Sequence, residues 1–311
     1  MNNSVVDALI IGGGPAGLSA SLPIIRQQFT VVIFDNGISP IDDTKLFHLI
    51  PSWDHRHKDE FASSAKENLL SRYRTLRFQQ TTVRSVRKAD TGLFLIEDSD
   101  GNQWTGKKVI LANGVRYIFP DVEGFAQCWG KGIYRCCFCN AFEDRGVGSV
   151  GVLAIDFFGS TEMAIHAATD FKRFAKTVMV YTNGSDDLAD KLATQLPSTR
   201  MKIMRQRITR LEKTGTGGEV TVHLDDGTSR VEGFLGHIPS TRPNGTFVED
   251  LGLETEASGD IKVFPPLNST SLHGVYAAGD LCSLSKIASH AFYLGNIAGA
   301  GVAEELLVES D

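Results

Sequence analysis

Val5-Val6-Asp7-Ala8-Leu9-Ile10-Ile11-Gly12-Gly13-Gly14-Pro15-Ala16-Gly17 is an apolar run followed by a glycine loop, and its reading decides the fold. The run suits a buried parallel strand. Gly12, Gly14 and Gly17 give G-x-G-x-x-G, and a helix fits residues 18–27. Thr30-Val31-Val32-Ile33-Phe34-Asp35 reads as the next strand and closes on an acid. A lone glycine pattern would be only a tight turn. With strand, helix and acid in register it is the Rossmann dinucleotide fingerprint. The glycines let a pyrophosphate approach the backbone, the helix N-terminus complements its charge, and the carboxylate suits a ribose hydroxyl. Gly12, Gly14, Pro15, Ala16, Gly17 and Asp35 are therefore candidate cofactor-binding residues.

The 311 residues are enough for two domains. A net charge of −6 without a basic run argues against a nucleic-acid partner. No apolar stretch approaches the roughly 20 residues of a membrane span. Met1-Asn2-Asn3-Ser4 lacks the basic start and apolar run of a signal peptide, so a cytoplasmic location is expected. Five cysteines in a sequence of this length do not make a disulfide framework.

Three of those cysteines stand in Tyr134-Arg135-Cys136-Cys137-Phe138-Cys139-Asn140. Cys136 and Cys139 form a C-x-x-C, a spacing that closes a disulfide across a tight turn. A zinc site would need four ligands, and no second Cys/His pair lies at ligand spacing, so no metal is expected. His48, Trp53, His55 and His57 fall in segment 44–58, which reads as a loop for the same reason. Cys137 reads as a bystander, and Cys128 and Cys282 as buried thiols.

Residues 59–73 have helical periodicity, and 77–86 and 92–98 alternate as strands. Lys107-Lys108-Val109-Ile110-Leu111-Ala112-Asn113-Gly114 is an apolar strand ending in a small turn, which adds Asn113 and Gly114 to the candidates. Residues 115–123 cross into a second unit, whose first strand is 148–154. A second glycine loop belongs after it. Ala154-Ile155-Asp156-Phe157-Phe158-Gly159-Ser160 stands there instead, with bulky residues where backbone should touch pyrophosphate. A helix fits 161–174 and a strand 177–181. Asp186 and Asp187 then take the place of the arginines that hold a 2′-phosphate, and would repel one. Further strands fit 205–213, 219–224 and 231–237, with 235–242 crossing back. Residues 260–263 and 274–278 return as strands, and Gly279-Asp280 follows as a turn that could bond a ribityl group. The helix over 286–307 carries Gly295, Ala298, Gly299 and Ala300, which permit close packing.

The glycine loop, the mid-sequence C-x-x-C and the late Gly279-Asp280, in that order, resemble the low-molecular-weight thioredoxin reductase family over nearly the whole length. The resemblance implies an α/β fold of two Rossmann-like, three-layer nucleotide-binding domains. It places a discontinuous FAD domain at 1–117 and 241–311 and an inserted NADPH-domain-like unit at 118–240. It makes Cys139 the flavin-proximal thiol and Cys136 the interchange thiol. It also brings Ile287, Ala288 and His290 to the flavin on the last helix. The acid that follows the second cysteine in that family is Asn140 here, so Glu143, Asp144 or His290 must replace it as proton relay, and His290 is favoured.

Gly130-Lys131, the aromatic Phe138, Phe142-Glu143-Asp144-Arg145-Gly146 and Tyr181-Thr182-Asn183-Gly184 look like the gliotoxin-oxidase type of dithiol oxidase. That branch implies a homodimer using FAD and passing electrons to O2 to give H2O2. Its substrates are small dithiols of the epidithiodiketopiperazine kind, closed to intramolecular disulfides. The broken second glycine loop agrees, since an oxidase has no need of NADPH. The competing readings are an NADPH-dependent thioredoxin reductase, or a ferredoxin- or second-flavin-linked variant, and a flavin-binding resistance or sensor module without turnover.

Overall fold

The computed structural model of the protein describes residues 4–38 and 46–310. The first two residues of the histidine-bearing segment 44–58, and residues 1–3, 39–45 and 311 of the expected FAD domain, lie outside the described residues. The protein divides into two compact units. One joins the described N-terminal residues to 38, Ile50–Arg116 and everything described from Thr241 on; the other joins Tyr117–Ser240 to residues 46–49. No helix among the described residues is long and apolar enough to cross a membrane.

The first unit is built on Val6–Ile11. Ala8, Leu9 and Ile10 are wholly buried, as a strand covered on both faces requires. It pairs in parallel with Val31–Asp35 on one side and Gln103–Leu111 on the other. Phe94–Asp98 runs antiparallel along the first half of Gln103–Leu111, and Val275–Ala277 runs parallel along its second half. The C-terminal ends of four strands therefore share one edge. Gly12–Gly17, Asp35, Asn113–Gly114 and Gly279–Asp280 all follow these ends, at the crevice where open α/β sheets bind ligands.

Helices Pro15–Arg26 and Ala288–Val308 pack against each other on this sheet. A Cβ on Gly295 would lie 2.2 Å from the Ala16 carbonyl oxygen, and one on Gly299 would lie 2.1 Å from that of Ala20. The small residues thus set the backbone separation. Buried Lys108 bonds Glu305 at 2.6 Å and Glu309 at 2.5 Å, which ties the end of the last helix to the sheet without an unpaired charge.

The second unit has a parallel sheet in the order Ile133–Tyr134, Leu235–Gly236, Val147–Leu153, Ala175–Tyr181, Met201–Met204. Val150, Val152, Val178 and Val180 bury one of its faces against Ala164, Ala168 and Phe171 of helix Thr161–Phe171. A separate antiparallel sheet holds Ile208–Lys213, Val220–Leu224 and Ser229–Glu232.

Three expected strands differ. Residues 77–86 divide into Leu76–Gln80 and Val83–Lys88. Residues 231–237 divide between two sheets at Gly233, where a Cβ would lie 2.6 Å from the Val147 side chain, so the backbone bends there. Residues 260–263 make only isolated bridges, such as Thr255 with Ile261. Met201–Met204 escapes a reading by pattern because Lys202 and Met204 give it no strong alternation.

Since backbone does not retreat from a new methyl as freely as a side group does, Gly299→Ala should destabilise the protein by about 1–3 kcal/mol, read from urea unfolding.

Candidate active site

The strand ends of the first unit carry the glycine loop. Gly12 has φ 111°, and a Cβ there would lie 2.2 Å from the Ala112 carbonyl oxygen. A Cβ on Gly17 would lie 1.9 Å from the Gly12 carbonyl oxygen. These two glycines serve the packing of the loop. Gly14 differs: a Cβ there would meet nothing within 4 Å, so its backbone is open to a ligand. Pro15 begins the helix, and Gly14 as N-cap supplies no side-chain hydrogen bond, which leaves N–H groups for an anion. The Asp35 carboxylate stands against the same loop, since a Cβ on Gly13 would lie 2.7 Å from it. It accepts the Gly37 N–H at 3.1 Å.

Asn113 donates its Nδ2 to the Asn244 carbonyl at 2.6 Å, and Asn244 returns its own Nδ2 to the Asn113 carbonyl at 2.9 Å. The Asn113 Oδ1 is buried and has no partner, an acceptor left over for a ligand. Gly279, at φ 78°, packs so that a Cβ would lie 2.8 Å from that of Ala16, which brings Asp280 to the start of the first helix. Buried Lys286 bonds Asp260 at 2.9 Å and the carbonyls of Asp280 at 2.7 Å and Ser283 at 2.8 Å. That ammonium fixes the segment leading to the last helix, which starts at Ile287 with no capping side group. On its first turn, His290 has Nδ1 3.1 Å from the Ser285 carbonyl oxygen and 3.2 Å from Ser283 Oγ.

The redox segment belongs to the second unit. Tyr134, Cys137 and Ala141 are buried in that unit's core, while Cys136 and Cys139 are half-buried and Phe138 is 68% exposed. The Cys139 N–H donates to the Cys136 carbonyl at 3.2 Å, closing the tight turn of the C-x-x-C. The Cys139 thiol donates to Cys136, and the backbone N–H groups of Phe138 and Cys139 add to it. Together they push Cys136 down to about 7 in spite of its burial. The same shared proton, and then burial, push Cys139 up. Burial pushes Cys137 up to about 12, which makes it a packing residue. These contacts favour the thiolate of the reduced pair on Cys136.

The sequence matches the pyridine nucleotide-disulphide oxidoreductase family over residues 6–295. The protein belongs to that family. It is 36% identical over 309 residues to "Thioredoxin reductase tcpT" of Claviceps purpurea, a match that spans 99% of its own length and 96% of that relative. It is 38% identical over 302 residues to "Thioredoxin reductase aclD" of Aspergillus oryzae, over 96% of each. Among solved structures, a putative thioredoxin reductase TrxB from Bacillus anthracis shares the fold. Its TM-score is 0.86 at 24% identity, over 98% of the present protein and 100% of that one. The protein is thus a thioredoxin reductase-like disulfide oxidoreductase with FAD as its cofactor. The open Gly14 backbone, two helix starts left uncapped by side groups and the orphaned Asn113 oxygen fit FAD in the first unit.

The corresponding place in the second unit is shaped otherwise. Asp156–Phe158 forms a short 3-10 turn with Asp156 at φ 49°, left-handed and strained for a residue with a Cβ. The Asp156 carboxylate lies 3.2 Å from Nε2 of wholly buried His237, whose Nδ1 lies 3.3 Å from the Leu153 carbonyl oxygen. Phe158 is buried edge-on to the same ring. Ser160 Oγ accepts the Met163 N–H at 3.2 Å, so the following helix is already capped. Arg205, from beyond Met201–Met204, does reach the acids: it bonds Asp190 at 2.6 Å and Asp186 at 3.5 Å. The Asp156 carboxylate and Arg205 are thus both engaged with protein groups.

Of the three relay candidates, Asp144 is fully engaged. It accepts from Tyr134 at 2.5 Å and from the Gly218 N–H at 3.0 Å. Glu143 lies 3.8 Å from His48. The sequence alone does not reveal Asn244, Lys286, His237, Arg205 or Tyr134, whose roles rest on pairings between distant positions.

In the reduced protein, alkylation of Cys136 by iodoacetamide should rise with pH about a midpoint near 7, followed by peptide mass. Cys137, pushed up to about 12, should stay unmodified over that range. Gly17→Ala should lose FAD on gel filtration, since the new methyl would strike the Gly12 carbonyl.

Proposed function

We propose that this disulfide oxidoreductase is an FAD-dependent dithiol oxidase. It closes an intramolecular disulfide in a small molecule and passes the electrons to O2. The observation that carries the reading is the closed turn at Asp156–Phe158, whose side chains and capped helix oppose binding of a pyridine nucleotide. With electrons neither supplied nor removed by nicotinamide, oxygen is the acceptor left to the flavin.

A substrate thiolate attacks Sγ of Cys136 in the oxidised pair, and Cys139 departs with the electron pair. The second substrate thiol then attacks the substrate sulfur of the mixed disulfide. The low pKa of Cys136 makes it a good leaving group in this ring-closing step. The guest leaves as a cyclic disulfide and the cysteines are left as a dithiol. Bound at the Gly14 backbone and Asn113, FAD would supply the acceptor for that electron pair and its transfer to O2. One dithiol and one O2 give one disulfide and one H2O2, so atoms and electrons balance. Asn140 holds no titratable proton, so His290 serves as the relay. Its Nδ1 lies 3.1 Å from the Ser285 carbonyl oxygen, which orients the ring. Phe138 and Phe142, which flank Cys139 in the sequence, are 68% and 51% exposed and suit an apolar guest of the epidithiodiketopiperazine kind. The protein works as a homodimer.

The names of the curated relatives favour a second reading, an NADPH-dependent thioredoxin reductase. Two measurements separate the readings. The yellow protein in air should consume oxygen when given a small apolar dithiol, and under argon NADPH should leave its flavin absorbance unchanged. Rapid bleaching by NADPH would sink the oxidase. Cys136→Ser and Cys139→Ser should each lower turnover by at least roughly a thousandfold while the protein stays yellow, since each removes a sulfur through which the electron pair must pass.

A further inference from the structure

The redox segment has no ladder of its own. Among the described residues, 135–146 belong to no helix or strand, and run as consecutive turns from 137. Such a segment takes its geometry from side-chain ties. The strongest spans its two ends. Tyr134, at the end of Ile133–Tyr134, donates its hydroxyl to Asp144 Oδ2 at 2.5 Å. Asp144 Oδ1 accepts the Gly218 N–H at 3.0 Å. Gly218 has no room for a side group, since a Cβ would lie 2.6 Å from Asp144 Oδ2 and 2.9 Å from the Tyr134 hydroxyl. Three separate segments therefore meet at the base of the loop that carries both cysteines. Tyr134 is buried and packs on Phe234 with ring centroids 5.4 Å apart.

We propose that the Tyr134–Asp144 hydrogen bond, backed by the Gly218 amide, is the latch that sets the redox poise of the Cys136–Cys139 pair. Tyr134 and Asp144 are positioning residues. They act by limiting how far the reduced sulfurs can separate. Disulfide formation competes with the conformational freedom of the dithiol, so closing the base of the loop raises the effective concentration of one sulfur at the other. Burial, and then Asp144 itself, push the Tyr134 hydroxyl up, so it remains a donor throughout the working pH range. The inference rests on the reading of Cys136 and Cys139 as the redox couple.

The test is a redox titration of the FAD-loaded protein in glutathione buffers under argon, quenched by alkylation and read by mass at the two cysteines. Tyr134→Phe removes one oxygen and keeps the ring. It should lower the equilibrium constant for disulfide formation about tenfold, which is about 30 mV towards a more oxidising couple. Asp144→Asn should shift it in the same direction by less, because the amide oxygen still accepts from Tyr134. The double variant should match Tyr134→Phe alone, the mark of groups that act as one unit. If Tyr134→Phe and Asp144→Asn both keep the parent's constant within about twofold, the latch is overturned. Should Tyr134→Phe fail to fold, Asp144→Asn decides alone. A parent protein that forms no reversible Cys136–Cys139 disulfide would instead defeat the oxidase reading.

Discussion

Two helices touch through alanine and glycine, and the cofactor site of the first unit depends on that contact. Gly295 and Gly299 leave so little space that the backbone of Ala288–Val308 rests on the carbonyls of Ala16 and Ala20. Gly279 adds a third close approach at the Cβ of Ala16. The result gathers the start of Pro15–Arg26, the Gly279-Asp280 turn and the start of Ala288–Val308 at one sheet edge. Neither helix start is capped by a side group. Uncapped N–H groups are costly to leave without partners, and an anion at each end is the natural complement. Lys286 prevents the intervening segment from drifting, and it can be buried because three acceptors satisfy its three protons.

The two units make opposite use of one supersecondary plan. Both have a strand, a turn and a helix at the place where a pyrophosphate would lie. In the first, glycine leaves backbone open and the helix uncapped. In the second, Ser160 Oγ caps the helix, the Asp156 carboxylate pairs with His237, and Phe158 packs edge-on to that ring. The oxidase reading proposed above rests on this difference between the two turns.

Much of this is legible in the sequence, and the division has a physical cause. The fingerprint from Val6 to Asp35 is local: strand, glycines, helix and acid follow one another, so spacing alone reveals them. The broken loop at 154–160 is visible for the same reason. Long-range polar partnerships are not. Asn113 with Asn244, Lys286 with Asp260 and Tyr134 with Asp144 join ordinary residues at positions that carry no periodicity. Arg205 shows the same limit, since its separation in sequence from Asp186 hides a pairing that the sheet makes short. Residues 231–237 read as one strand although Gly233 stands among them. Only the crowding of Gly233 by Val147 shows why they divide.

The redox segment shows how a pair of sulfurs can be held without regular structure. Cys137 faces inward and shares the core with Tyr134 and Ala141. Its neighbours Cys136 and Phe138 are thereby turned away from that core. The bystander thiol is the anchor that presents the reactive ones, and its suppressed ionisation keeps it from competing with them. A serine at 137 would bury a hydroxyl in an apolar site, and a leucine would overfill it. A small, weakly polar side group meets both demands, so three cysteines in four positions serve two purposes: packing for one and, in the mechanism proposed above, electron transfer for two.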